Sequence, residues 1–321
     1  MSLETVTRFG FLTFGGVSLL LFLCFLPAGW AQDLAPRAYI ITPVHSNAVT
    51  LTYAFFSGDL LFDSEAPITG ATARASASIV SFTHSLSVFG RSASFSASLP
   101  YAVGNFRGTV VGAETTAHRS GGFDSSYRFS INLKGGPAMD LQDFREWQQK
   151  TLLGVSFKLV APTGQYDPTR LINYGANRWA FKPEVGLSRR WGHWVLDTYG
   201  AVWFFTTNHD FFSRNQFSPG TNTQKQNPTF AFEEHVSYDM KPRFWASLDG
   251  NFWVGGRTRL NGLENPNTEQ RNSHIGGTVS VPVSKRQSFK FSYNRGAYVI
   301  YGGNYQNVSV AWQYSWLGRP N

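Results

Sequence analysis

Apolar and polar residues alternate with a period of two through most of the chain beyond residue 48. That period places successive side chains on opposite faces of an extended strand. The clearest stretch is 123–134. Phe123, Ser125, Tyr127, Phe129, Ile131 and Leu133 share one face, while Asp124, Ser126, Arg128, Ser130, Asn132 and Lys134 share the other. One face suits lipid and the other suits water, over a length that matches a transmembrane strand of about 9–11 residues. The pattern recurs at 48–56, with Val49, Leu51, Tyr53 and Phe55 opposite Thr50 and Thr52. At 92–99 four serines alternate with Ala93, Phe95, Ala97 and Leu99, and at 152–160 Leu153, Val155, Phe157 and Leu159 oppose Gly154, Ser156 and Lys158. Residues 179–190 set Trp179, Phe181, Val185 and Leu187 against Lys182, Glu184, Ser188 and Arg190.

Phe289, Phe291 and Tyr293 repeat the pattern near the C-terminus, and the last strand sets Val308, Val310, Trp312, Tyr314 and Trp316 against Asn307, Ser309, Gln313 and Ser315. Its aromatic end resembles the signal read by the outer-membrane barrel assembly machinery. Weaker strands are expected at 72–88, 194–206, 229–240, 243–255 and 270–283. The phase slips near Ile79 and Val80, which reads as a bulge. In 229–240 Glu233 and Glu234 mark both faces, so its outer face stays open. The count is about twelve, and an even count returns both chain ends to one side. These elements predict an all-β fold: a transmembrane antiparallel up-and-down β-barrel. A soluble sandwich or propeller also alternates, but its exposed faces would carry more Lys and Glu, and no propeller-period repeat is visible.

Tight turns are expected at 89–91, 191–193, 241–242 and 284–287, and longer polar connections at 57–71, 162–177, 207–228 and 257–269. Short periplasmic turns and long external loops are the barrel habit. Met139 to Lys150 departs from it and predicts a short amphipathic helix with Leu141, Phe144 and Trp147 on one side. Strand parity puts that helix on the periplasmic side, resting on the rim or serving as a plug or docking element.

Before the alternation begins, Arg8 precedes an apolar run from Phe9 to Leu26, Pro27 breaks it, and Gly29 and Ala31 supply small residues for a signal peptidase. This predicts a signal peptide over 1–31 and a barrel over 32–321. The run also has the length of a membrane anchor, for which about 17–25 residues suffice. Glu4 and Arg8 cancel, so cleavage leaves the net charge of +8 unchanged. Cys24, the single cysteine, lies inside the signal, so neither disulfides nor thiolate metal sites are expected in the remainder. Export removes nucleic acid as the natural partner of the positive charge and leaves outer-membrane lipids, lipopolysaccharide and anionic solutes. Aromatic residues make up 16% of the chain and charged residues only 15%, which suits a lipid-facing wall with aromatic girdles.

Several stretches together resemble a known family. They are Asp33 to Tyr39, Phe89-Gly90-Arg91-Ser92, and Ala161-Pro162-Thr163-Gly164-Gln165-Tyr166-Asp167 running through Arg170 to Asn173 and Asn177-Arg178-Trp179 to Lys182-Pro183-Glu184; Val202 to Phe205 and Gly255-Gly256-Arg257 follow. The chain resembles the meta-pathway phenol-degradation proteins, outer-membrane barrels usually labelled transporters. The resemblance implies a Gram-negative outer-membrane channel associated with aromatic-compound uptake.

No catalytic constellation stands out. His45-Ser46-Asn47 reads as a turn before the first strand, and His84, His118, His193, His209, His235 and His274 lack metal-ligand spacing. No cofactor and no metal are expected. By period, Lys182, Glu184, Arg190, Arg128, Asp124 and Lys158 (with Lys134) point into the lumen, and Arg178 lies at its outer mouth. Such charges can pair and brace a filled barrel. They can also form a constriction whose cationic excess draws anionic solutes such as aromatic carboxylates. The expected function is uptake of small, aromatic or hydrophobic solutes without catalysis. A non-conducting structural or docking barrel and a membrane-embedded lipid hydrolase are the alternatives.

Overall fold

A computed structural model describes residues 36–62 and 68–318. The expected signal segment, 1–31, lies outside them. The strands are β1 (Ser46–Leu61), β2 (Ile68–Val88), β3 (Arg91–Val110), β4 (Ala113–Gly122), β5 (Ser125–Lys134), β6 (Thr151–Ala161), β7 (Ala180–Trp191) and β8 (Trp194–Phe205). They continue with β9 (Gln224–Gln226), β10 (Thr229–Lys241), β11 (Phe244–Gly255), β12 (Thr258–Leu260), β13 (Leu263–Asn265), β14 (Gln270–Pro282), β15 (Gln287–Tyr298) and β16 (Gly302–Leu317). One helix, α1 (Leu141–Glu146), sits between β5 and β6, capped by the Asp140 side chain. Among the described residues no helix is long and apolar enough to cross a membrane.

Every wall pairing is antiparallel between neighbours along the chain, and the ring closes where β1 pairs with β16 from Ser46↔Leu317 to Leu61↔Gly302. The barrel has twelve wall positions, because β4 and β5 share one. Outer β3 pairs with β4 (Val110↔Ala113) and inner β3 with β5 (Ala93↔Ile131). The interruption falls at Phe123 and Asp124, where the Phe123 N–H donates to the Pro100 carbonyl at 2.9 Å. The start of β1 and the end of β16 lie at the rim with the 88–91, 191–194 and 241–244 turns, which is the periplasmic rim by the barrel habit. The three short strands β9, β12 and β13 form a separate sheet in the outer loops.

The alternating faces sort as expected. Leu99, Phe157 and Val185 on the outside are about half exposed or more, and Ser92, Ser130, Ser156 and Ser188 on the inside are buried. Lumen serines bond across strands: Ser94 with Ser130 and Ser81 with Ser98, each at 2.8 Å.

The structure corrects three expectations. Pairing of β2 with β1 and β3 is continuous through Ile79 and Val80, and the irregularity lies instead at Thr69 to Thr72. Residues 100–122, not assigned to strands from the sequence, are the outer half of β3 and all of β4. The turns at Val111–Gly112 and 299–301 are as short as the periplasmic ones, so loop length alone does not sort the rims. The turn at Val111–Gly112 needs two residues at positive φ, and both have it.

Strand β10 settles its own ambiguity. Glu233 faces the lumen and is buried, whereas Glu234 faces outward between Phe232 and Val236 and accepts a hydrogen bond from the Thr198 hydroxyl at 2.8 Å. An outward carboxyl midway along a lipid-facing strand costs stability in a depth-dependent way. Glu234→Val is expected to stabilise the folded barrel in lipid by on the order of 1 kcal/mol, read as a higher urea midpoint. An unchanged or lower midpoint would place Glu234 outside the hydrocarbon zone.

Candidate functional site: a charged lumen holding the N-terminal segment

The segment from Pro36 to Val44 has no strand partner and runs inside the barrel. It enters from the periplasmic rim, where the Val44 N–H donates to the Met139 carbonyl at 2.8 Å and the Ser85 hydroxyl donates to the Pro43 carbonyl. Ile41 then packs with Met139 and Leu152 over Phe144 and Trp147, so α1 and the residue after it form an apolar floor beneath the segment. The first expected helical residue, Met139, is thus part of the floor, and the helix itself is confined to Leu141–Glu146.

Tyr39 is the deepest anchor, only 2% exposed. Its ring lies on Gly154 and Gly186, which face each other in register across β6 and β7, and a Cβ at either position would overlap that ring. The Tyr39 hydroxyl donates to Glu184 Oε1 at 2.9 Å and lies 3.1 Å from Ser156 Oγ. The Arg128 guanidinium covers its face at 4.9 Å. Beyond it, the Ala38 N–H donates to the Tyr199 hydroxyl at 3.0 Å and the Arg37 N–H to Asp197 at 3.2 Å. The Arg37 guanidinium pairs with Asp239 at 2.7 Å, donates to Ser237 at 3.0 Å and stacks over Trp245 at 4.4 Å. Arg37 within the segment and His45 just after it both hold positive φ, of 65° and 63°, a conformation that costs a non-glycine residue some strain.

Beside Tyr39 the lumen charges form one network. Lys182 Nζ lies 2.8 Å from both Glu184 and Glu233, and Arg128 lies 3.2 Å from Glu184. Glu233 continues to His235 at 3.7 Å, whose Nδ1 lies 2.9 Å from Asp249, and Asp249 accepts from the Thr278 hydroxyl at 2.9 Å. Side chains at Lys182, Glu184, Glu233 and Asp249 are almost wholly buried, where an unpaired charge would be costly. A cavity of about 60 Å³ remains among Ala38, Arg128, Ser156, Lys158, Lys182, Glu184, Tyr199 and Glu233.

Of the residues read from the sequence, Arg128, Lys158, Lys182 and Glu184 therefore meet at one place. Four others lie elsewhere. Asp124 is buried at the outer end of β5 and accepts from the Gly164 and Ala176 N–H groups at 2.8 and 2.9 Å, so it ties down the 162–177 loop. Burial pushes its carboxyl above the usual range. Arg178 is buried at the outer mouth, stacks over Phe205 at 4.5 Å and donates to Gln226. Burial pulls its guanidinium down to about 10, with Asp124 acting in the other direction. Arg190 stands near the periplasmic rim and shares Asp239 with Arg37, at 2.6 Å, so it helps to hold the N-terminal segment. Lys134 is exposed. Sequence reasoning missed Arg37, Tyr39, Asp197, Tyr199, Glu233 and Asp239; the facing pair Gly154 and Gly186 on a lumen face was the one signal pointing to a buried ring.

Fold and site together define a closed outer-membrane-type β-barrel whose lumen is occupied by its own N-terminal segment. The chain belongs to the family described as "Putative MetA-pathway of phenol degradation", whose model matches residues 7–317. The COG4313 outer membrane channel from Pseudomonas putida F1 has a similar fold, with a TM-score of 0.71 at 16% identity over 88% of this chain and 100% of that one. The transport unit of the autotransporter AIDA-I from Escherichia coli is more distant, at 0.47 and 8% over 91% and 95%. So is the CymD monoaromatic hydrocarbon channel, at 0.42 and 8% over 96% and 94%. No curated protein matches the chain.

The two glycines give a direct test of the segment's seat. Gly186→Val is expected to expel the Tyr39 ring and open the Arg37–Ala38 bond to trypsin, with at least tenfold faster cleavage than wild type. Gly200→Val, at a position where an added Cβ meets nothing within 4 Å, should leave cleavage unchanged. Equal cleavage rates in all three proteins would contradict the seat.

Proposed function

We propose that the protein is an outer-membrane channel through which small solutes reach the periplasm passively, and that its N-terminal segment is the gate. One observation carries this reading: a short segment lies in the lumen next to a charged cavity, tied at Arg37, Ala38 and Tyr39 by polar contacts and resting through Ile41 on a small apolar floor. Each of those hydrogen bonds contributes only about 1 kcal/mol net, so the set can hold the segment and still release it. Arg128, Lys158, Lys182 and Glu184 would meet a passing solute at the constriction, with Arg178 at the outer mouth. The family's description supports aromatic compounds as the solutes, and the likeness in fold to an outer membrane channel supports conduction. The reading needs no bond to be made or broken. A charged constriction offers a fixed field to ions and dipoles, which argues for polar solutes over plain hydrocarbons.

Filling of the lumen also favours a second reading, a structural barrel that conducts nothing and serves through its loops. Liposome swelling separates the two. Wild-type protein is expected to admit small solutes slowly. The Arg37→Ala, Tyr39→Ala double variant should admit the same solutes several-fold faster. If neither protein admits any solute, while heat-modifiable gel migration shows both to be folded, the channel reading fails and the structural one stands.

A further inference from the structure

We infer that two neighbouring turns at the periplasmic rim, 241–244 and 283–287, form a binding site for the headgroup of an anionic phospholipid such as phosphatidylglycerol, recognised by Lys241, Lys285 and Arg286. The inference concerns the wall and its membrane, and it holds whether or not the lumen conducts. The turns lie side by side because β11 pairs with β14, with Trp245 opposite Ser280. Arg243 ties them together: its guanidinium donates to the Ser284 and Lys285 carbonyls, each at 2.7 Å, and to the Gln287 carbonyl at 3.4 Å. Lys241, Arg243, Lys285 and Arg286, all exposed, are thus gathered in two turns that contain no Asp or Glu. Asp239, the carboxylate nearest to Lys241 along the chain, is already held by Arg37 and Arg190 at 2.7 and 2.6 Å. Among the described residues Lys241, Lys285 and Arg286 form no ion pair of their own.

A second, independent feature points to lipid as the occupant. The cations lie between two parts of the aromatic girdle. On the β10 side Trp191, Trp194 and Tyr238 are exposed, with the Trp194 and Tyr238 rings 4.8 Å apart. On the β16 side Trp312, Tyr314 and Trp316 stack in succession. The N–H of Ser315, between the last two, donates to the Arg286 carbonyl at 2.8 Å. Tyr and Trp belts sit at headgroup level, so these cations stand at the depth of the lipid phosphates. Met240 and Val283, next to Lys241 and Ser284, are exposed on the outer wall, where they would meet the acyl chains. Arg286 can take two phosphate oxygens at once, and the lysines add compact positive charge. A zwitterionic headgroup brings its own ammonium, which the cluster repels. Phosphatidylglycerol carries one negative charge and no cation, and so fits the cluster better.

Full-length protein refolded into vesicles of equal phosphatidylcholine and phosphatidylglycerol tests this, with the lipids retained on the extracted barrel counted by native mass spectrometry. Wild type is expected to retain phosphatidylglycerol over phosphatidylcholine by about tenfold or more, because each Lys or Arg near an anionic surface contributes a factor of about five. The combined Lys241→Gln, Lys285→Gln, Arg286→Gln variant should bring that ratio close to one. A control variant, Arg170→Gln, Lys225→Gln, Arg259→Gln, removes the same charge from exposed residues of the outer loops and should keep the preference. Millimolar inorganic phosphate should leave the preference intact, because the acyl chains add to the hold on the lipid. Heat-modifiable gel migration shows which preparations are folded. Equal retention of the two lipids by folded wild type would overturn the assignment, as would an unchanged preference in the folded rim variant or an equal loss in the control. Displacement of the lipid by inorganic phosphate would overturn it in favour of a site for free anions. Poly-glutamate binding that the rim variant loses, without any lipid preference, would overturn it in favour of an acidic protein partner.

Discussion

Closure of the sheet is the constraint from which the remaining features follow. In hydrocarbon no water is present to satisfy a backbone N–H or C=O, so a strand can cross only if both its edges are paired. The sixteen-residue register of β1 with β16 meets that demand at the last open edge, and it also fixes which face of every strand is the lumen face. Once the ring is closed at twelve positions, the interior is narrow and largely sealed from bulk water. Charges placed there must be answered by other groups of the same chain.

That demand explains why the lumen contains a network and not a scatter of charges. Lys182 lies between two glutamates, Arg128 braces one of them, and His235 links the other to Asp249. The N-terminal segment uses the same currency of contacts: its tyrosine hydroxyl joins Glu184, and its arginine joins Asp239. The segment is therefore attached to the very groups that set the field in the lumen. Moving it exposes Glu184 and Asp239 together, so opening the path and changing its charge are one event.

The wall of the barrel was legible in the sequence because period-two alternation is a local property. Phe129 and Arg128 reveal their faces to anyone counting residues. The interior was legible only in part. Lys182 and Glu184 stand two apart on one strand and could be placed together, but Glu233 joins them from β10, 51 residues from Lys182. Arg37 finds Asp197 and Ser237 at separations of 160 and 200 residues, and the segment carrying it has no periodicity of its own. Asp124 and Arg190 were assigned to the correct face, yet their roles depend on loop backbone and on Asp239, which no local pattern announces. The 100–122 stretch was missed because Pro100, Gly104 and Gly108 thin its alternation.

The central claim is that solutes pass only when the N-terminal segment leaves its seat, and a reversible lock tests it most directly. Cys24 is the chain's one cysteine, so in a Cys24→Ser background Tyr39→Cys with Gly186→Cys introduces a single possible disulfide between the segment and the wall. The account predicts that oxidised protein, shown to be bridged by loss of both free thiols, admits solute more slowly than wild type in liposome swelling. Reduction should then raise the rate above wild type. Equal swelling rates in the bridged and reduced states would show that the segment is a fixed part of the wall, and would contradict the account.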